Sequence, residues 1–181
     1  GLGFGGGCLP KDIRAFMARA GELGADQAVA FLKEIDSINM RRRVRIVDIA
    51  RDALAGSFIG KRITVLGAAF KPDSDDVRDS PALAVARLIA TQGGVVTVTD
   101  PQAIGNAKRS FPELQYVADT TEALTGADAV LLLTEWREYR DLDPAATADL
   151  VAGKVLVDGR NVLTPELWRS AGWTYRALGR P

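Results

Sequence analysis

Cys8, Lys11 and Asp12 are the residues near the start of the chain whose types and spacing could do covalent chemistry. The sequence holds one cysteine and no histidine, so a nucleophilic thiol could not lean on the usual imidazole base. Cys8 stands two residues before Pro10, a residue favoured in the first turn of a helix. A thiol in that place faces free backbone N–H groups and the positive end of a helix dipole, and both favour the thiolate. Lys11 and Asp12 follow three and four positions later, on the side of the turn that the sulfur occupies. An ammonium favours an ionised thiol, and a carboxylate can position water or take a proton. Chemistry alone leaves the opposite reading open, because a lone cysteine is often a small buried hydrophobe.

The glycines before Cys8 pose a related question. Gly1-Leu2-Gly3-Phe4-Gly5-Gly6 has the spacing of a dinucleotide-binding turn, which counts only after a strand and before a helix. No strand precedes Gly1 in this sequence. Residues without Cβ let a ligand lie on the backbone and let the chain turn left-handed, so the glycines are expected to present the cysteine. The sequence also starts in mid-motif and without Met, as a fragment would.

The elements that must position these residues fall into two zones. From Ile13 to about Ala55 apolar residues recur at helical spacing, through Val29, Leu32, Ile35 and Ile38 and on to Ile46, Ile49, Ala50, Ala53 and Leu54. This predicts a short helix after Pro10 and one long helix from about Asp26 to Leu54. Its apolar stripe has no sheet of its own to cover, so it must pack on the second zone or on another subunit. From about residue 57 strands alternate with helices: strands at 62–67, 95–100, 129–134 and 154–158, a helix at Pro81–Thr91, another at Pro165–Ala171 and an edge strand near Tyr175. That alternation predicts an α/β fold, a Rossmann-like doubly wound parallel sheet preceded by a helical segment with one long helix. Ligands bind such sheets beyond the carboxyl ends of the strands.

Composition narrows the partners. Lys and Arg number 23, as do Asp and Glu, so no net positive charge points to nucleic acid or an anionic membrane. No apolar run nears the ~18 residues that cross a bilayer, and one cysteine provides neither a disulfide framework nor a CxxC metal site. No metal is expected, and a reducing, cytoplasmic setting is. Arg41-Arg42-Arg43-Val44-Arg45 reads as a solvated helix face or a set of intersubunit salt bridges. Trp136, Trp168 and Trp173 read as packing residues.

The strand ends carry a second constellation. Gly67-Ala68-Ala69-Phe70-Lys71 closes the first strand with one glycine rather than three, which suits a nucleotide smaller than a dinucleotide. Arg160 follows the strand at 154–158. A lysine and an arginine at adjacent strand ends suit a diphosphate, Arg as a bidentate fork and Lys as a point charge. Ser80-Pro81 reads as a helix cap. The acidic cluster Asp73-Ser74-Asp75-Asp76 reads as a solvated loop. Asp100 stands where such folds place a ribose-binding acid, although a strand-end Asp-Pro turn explains it more simply.

GFGGGCLPKD, residues 3–12, resembles the active-site segment of nucleotide-sugar dehydrogenases, the UDP-glucose/GDP-mannose dehydrogenase family. Gly67 to Pro81 resembles that family's G-x-A-F-K-x-x-T-D-D-x-R-x-S-P block, with Ser74 in place of the usual Thr. Val157-Asp158-Gly159-Arg160-Asn161 resembles a third block, in the same order. The resemblance implies NAD as cofactor and a UDP-sugar as substrate, with GDP-mannose or UDP-N-acetylmannosamine as alternatives and a non-catalytic nucleotide-binding module as a further one. The Thr134-Glu135-Trp136 and Asp158-Gly159-Arg160 blocks look most like the UDP-glucose branch. It implies Cys8 as the nucleophile that carries a sugar through thiohemiacetal and thioester while two hydrides leave in turn, and Asp12 as the aid to water or proton transfer. Gly3, Phe4, Gly5, Phe70, Lys71 and Arg160 would bind the nucleotide sugar, and Lys11 and Arg78 the cofactor. Residues 1–56 would be the central helical, dimer-forming segment and 57–181 the UDP-sugar-binding domain. An N-terminal NAD-binding domain would be absent from this sequence, and the chain alone inactive. A homodimer through the long helix is expected.

Overall fold

Six strands build one sheet in the computed structural model, which describes residues 1–179. They are β1 (Arg62–Leu66), β2 (Val95–Thr99), β3 (Gln115–Tyr116), β4 (Ala129–Leu132), β5 (Val155–Asp158) and β6 (Thr174–Ala177). Their order is β3-β2-β1-β4-β5-β6, and every neighbouring pair is parallel. The order reverses between β1 and β4, and a doubly wound sheet opens its ligand crevice outside the carboxyl ends at such a switch. Ile63 to Leu66 and all of β4 are buried, as a sheet covered on both faces requires.

Helix α3, after two helices described next, spans Pro81–Thr91 and starts as its sequence predicts. Ser80 Oγ accepts the Leu83 N–H at 3.3 Å and donates to the Ala68 carbonyl at 2.6 Å. The cap therefore also ties the start of α3 to the turn that leaves β1. Shorter helices make the other connections: α4 (Ile104–Ser110), α5 (Thr120–Leu124), α6 (Arg137–Arg140), α7 (Pro144–Ala148) and α8 (Pro165–Ser170). The sequence reading missed β3 and α4 to α7, which are too short to show a period.

Before the sheet come α1 (Leu9–Glu22), a single 3-10 turn at Asp26–Val29 and α2 (Ala30–Ala53). The predicted long helix is thus helical throughout, but its first turn is wound tighter. Its apolar stripe packs on the second zone, as expected, but over only part of its length. Ile46, Val47, Ala50 and Leu54 join the core of the sheet, together with Leu2. Phe31, Ile35 and Ile38 in the first half lie exposed, as do Leu9, Phe16 and Leu23 along α1. One half of α2 is therefore anchored on the sheet while the other offers an apolar face to solvent. The tryptophans pack as expected: Trp168 and Trp173 meet edge to face with centroids 5.0 Å apart, and Trp136 is buried.

Candidate active site

Cys8 caps the start of α1. Leu9 is the first helical residue, Pro10 lies in the first turn, and the Cys8 carbonyl accepts the Asp12 N–H at 2.8 Å. The sulfur-bearing residue is exposed, not enclosed in apolar packing. Lys11 and Asp12 are exposed as well and face each other at 3.7 Å. The helix-start geometry expected from Pro10 is present, and the buried-hydrophobe alternative is not.

The glycines ahead of Cys8 are shaped by protein groups, which their spacing did not reveal. A Cβ on Gly5 would fall 2.4 Å from the Asp79 carbonyl oxygen and 2.7 Å from Pro81 Cδ. On Gly3, whose φ is +104°, it would lie 2.3 Å from Asn39 Oδ1. The Phe70 ring fills the space beside Gly6 at 2.9 Å, and the Arg78 guanidinium fills that beside Gly7. Gly6 N–H also donates to the Arg78 carbonyl at 2.9 Å. The segment therefore lies against the turn after β1, the loop before α3 and helix α2. Phe4, expected to offer its backbone to a sugar, has its N–H and carbonyl taken by Asn39.

Phe70 is half-buried, and the exposed Lys71 sets its ammonium 5.5 Å from the Phe70 ring centroid. Arg160 leaves the turn after β5. It does not sit at a strand end adjacent to β1, because β4 lies between β1 and β5. Its fork is also engaged: Nη2 donates to Glu135 Oε1 at 2.7 Å and Nε faces Oε2 at 2.5 Å. Glu135, which follows β4 and was assigned no chemistry, thus orients Arg160 and bridges the intervening strand. Arg42, Glu135 and Arg160 line a hollow of about 390 Å³ with Gly1, Leu2 and Gly3.

On the other side of the segment a groove of about 490 Å³ has Gly6, Gly7, Pro10 and Ala15 along it, with Lys11, Arg14, Arg78 and Asp79. Its cations are largely paired already, Arg14 with Asp36 and Asp79 and Arg78 with Asp76, while Lys11 faces Asp12.

The acidic cluster is a loop with Asp73 and Asp75 exposed, as the solvated reading has it, but it is also pinned to the fold. Val77 is buried, Phe70 N–H donates to the Asp76 carbonyl, and Asp75 accepts from Asn106. Asp76 grips Arg78 through both oxygens at 2.7–3.1 Å. Those hydrogen bonds hold the Asp76 carboxyl below its ordinary value of 3.8, against a smaller upward push from partial burial. A depressed carboxyl contributes stability above its unfolded value and loses it as pH falls through the folded one. The urea midpoint of Asp76→Asn is therefore expected to trail that of the unaltered chain at about pH 6. The gap should close on acidification below 3.8, and one that ignores pH would contradict the ion pair.

Asp100 proves structural. It is buried, its Oδ2 accepts Ala68 N–H, Ala69 N–H and Trp136 Nε1–H, and its Oδ1 accepts Gln102 and Ala103 N–H. No lone pair is left over for a ribose, so the Asp-Pro turn reading holds. The basic run is not one solvated face: Arg43 is buried, while Arg41 pairs with Glu34 in solvent. Asn39, Arg42, Arg43 and Glu135 are the site residues that the sequence reading missed.

Residues 1–68 match the central domain of the UDP-glucose/GDP-mannose dehydrogenase family, and residues 64–165 match that family's UDP binding domain. The chain belongs to this family. It is 35% identical over 181 residues to UDP-glucose 6-dehydrogenase YwqF of Bacillus subtilis, covering 99% of this chain and 40% of that protein. It is 32% identical to UDP-glucose 6-dehydrogenase of Pseudomonas aeruginosa, of which it covers 41%. Among solved structures, a UDP-glucose dehydrogenase from Pyrobaculum islandicum superposes with a TM-score of 0.83 at 36% identity, over all of this chain and 39% of that one. A UDP-D-ManNAc dehydrogenase from Pyrococcus horikoshii gives 0.80 at 27% identity, over 99% and 40%. The chain spans about 40% of the length of these family members.

Proposed function

We propose that this chain is the cysteine-bearing and nucleotide-sugar-binding portion of an NAD-dependent UDP-glucose 6-dehydrogenase, which oxidises the sugar C6 alcohol to the acid. One observation carries the reading: an exposed cysteine at a helix start ends a segment that has the Phe70 ring against Gly6, with Lys71 over that ring, and Arg160 across a hollow from Gly1 to Gly3. Residues 57–181 would hold the UDP-sugar, and residues 1–56 would present the sulfur. NAD, when bound, accepts hydride.

The chain's own residues supply the rest. Lys71 and Arg160 anchor the diphosphate, with Phe70 along the sugar and the segment of Gly3, Phe4 and Gly5 held beside it by Asn39 and Asp79 rather than by the ligand. Once C6 is an aldehyde, Cys8 sulfur attacks it, an S–C bond forms and the carbonyl oxygen takes a proton. Loss of hydride from C6 together with the hydroxyl proton leaves a thioester. Water, positioned by Asp12, attacks that carbon, the S–C bond breaks, and acid and free thiol are released. Lys11 and Arg78 lie along the cofactor groove. The exposed Phe16, Phe31, Ile35 and Ile38 support a homodimer in which a second copy covers α1 and the first half of α2. A free, exposed thiol suits a reducing cytoplasm. Among the described residues no helix is long and apolar enough to cross a membrane.

Calorimetric titration and alkylation test the reading together. UDP-glucose is expected to bind the chain and to slow iodoacetamide labelling of Cys8, with Lys71→Ala weakening binding roughly tenfold. Binding without protection of Cys8, or preference for GDP-mannose, would refute it.

A further inference from the structure

Asn39 and Arg43 lie one turn apart on α2 and are buried, at 3% and 6% exposure. They continue the face that carries Ile46, Val47 and Ala50 into the core. An amide and a guanidinium buried there cost free energy unless their hydrogen bonds are made within the protein. Both find partners far away in sequence. Asn39 Oδ1 accepts the Phe4 N–H at 2.8 Å, and Asn39 Nδ2 donates to the Phe4 carbonyl at 2.9 Å. The amide thus closes on Phe4 as a neighbouring strand would. Arg43 Nη1 donates to Asp79 Oδ1 at 2.8 Å, and Nη2 reaches the carbonyls of Phe4 and Asp79 at 3.2 and 3.4 Å.

One helix therefore grips two loops at once: the segment that ends at Cys8 and the loop that opens α3. The fit is tight on both sides. Gly3 leaves room for the Asn39 amide, and Gly5 lies on the Asp79 carbonyl. Asp79 itself holds a φ of +47°, a left-handed conformation that a non-glycine residue keeps when its surroundings over-determine it.

We propose that Asn39 and Arg43 are positioning residues that set where Cys8 sits relative to a nucleotide sugar anchored on the strand ends. The proposal rests on the reading above, in which the Cys8 segment and the strand-end cations share one ligand. It divides that ligand in two. The diphosphate end is held by Lys71 and Arg160, which lie past β1 and β5, whereas the hydrogen bonds of Asn39 and Arg43 go to Phe4 and Asp79. The sugar end meets a segment whose shape depends on both.

The test compares Arg43→Gln, Arg43→Lys and Asn39→Ala with the unaltered 181-residue chain. Three quantities are measured: affinity for UDP-glucose, affinity for inorganic pyrophosphate, and amide hydrogen exchange over residues 3–8. Arg43→Gln and Asn39→Ala are expected to weaken UDP-glucose binding roughly tenfold, to speed exchange over residues 3–8, and to leave pyrophosphate affinity unchanged. Arg43→Lys keeps the charge beside Asp79 and loses the second nitrogen, so it should recover part of the loss and remain folded if the other two do not. Parallel loss of both ligands would mark a general structural role and overturn the proposal, as would unchanged UDP-glucose affinity. If the unaltered chain binds pyrophosphate but not UDP-glucose, the functional reading falls and the proposal falls with it. Unaltered binding with unmoved variants overturns the proposal alone.

Discussion

If the proposed function holds, Cys8→Ala is expected to abolish acid formation by a dehydrogenase that includes this chain, by about a thousandfold or more, while its fold is retained. The two halves of this expectation have separate grounds. Cys8 is exposed and its side chain makes no capping hydrogen bond, so truncation should change stability by less than about 0.5 kcal/mol. The sulfur, in contrast, is the atom that would hold the aldehyde for the second oxidation. Without it no thiohemiacetal forms and no thioester follows, and Asp12 positions water with nothing to hydrolyse. Acid production per UDP-glucose, read beside a melting curve, checks both. A variant that keeps a tenth of the acid output would remove Cys8 from the mechanism. One that unfolds would contradict its surface placement.

Asp158→Ala should produce the largest loss of stability. Asp158 is fully buried at the end of β5. Its Oδ1 accepts Arg160 and Asn161 N–H at 2.9 and 2.7 Å, and its Oδ2 accepts Val162 N–H, Leu163 N–H and the Tyr175 hydroxyl, each at 2.9 Å. Alanine would strand these donors in the interior. At about 1–3 kcal/mol for each donor left unsatisfied, with partial rescue by water, the loss should reach about 4 kcal/mol. That is a large share of the stability of a typical small domain, roughly 5–15 kcal/mol in all. Asp158→Asn keeps the shape but turns an NH2 group toward donors, and about half that loss is expected. Urea unfolding measures both, and a change under about 1 kcal/mol for alanine would show that the turn closes without the carboxylate. The effect would reach the site as well, because the same carboxylate fixes the backbone of Arg160.

How much of this was legible beforehand varied with the kind of signal. β1, β2, β4 and β5 announce themselves as short apolar runs between polar turns, and parallel order followed from the helices between them. Ser80-Pro81 was readable as a cap because capping is local chemistry. β3 was not, since Gln115 and Tyr116 make a strand only by pairing with Thr97 and Val98. Cys8 could be placed at a helix start from Pro10 alone. Asn39 and Arg43 were overlooked because polar residues in a helix read as solvated. Yet their spacing from Ile46 and Val47 put them on the buried face, and that was the available sign. Glu135 gave a weaker one, a carboxylate directly past a strand end. The glycines misled in a different way: their spacing suggested contact with a ligand, whereas which atoms fill the missing Cβ positions is a matter of tertiary distance that no spacing encodes.

The origin of those distances bears on how the molecule comes into being. The groups that mould residues 3–7 come from Asn39, Phe70, Arg78, Asp79 and Pro81, and even the nearest of them, Asn39, is 35 positions downstream of Phe4. Loop-closure entropy must be overcome before such contacts reward the chain. The bed of the Cys8 segment is therefore expected to set late, after α2 has docked and the turns past β1 are made. On gentle unfolding the order should reverse, and the tip that carries the sulfur should loosen while the sheet beneath it still holds.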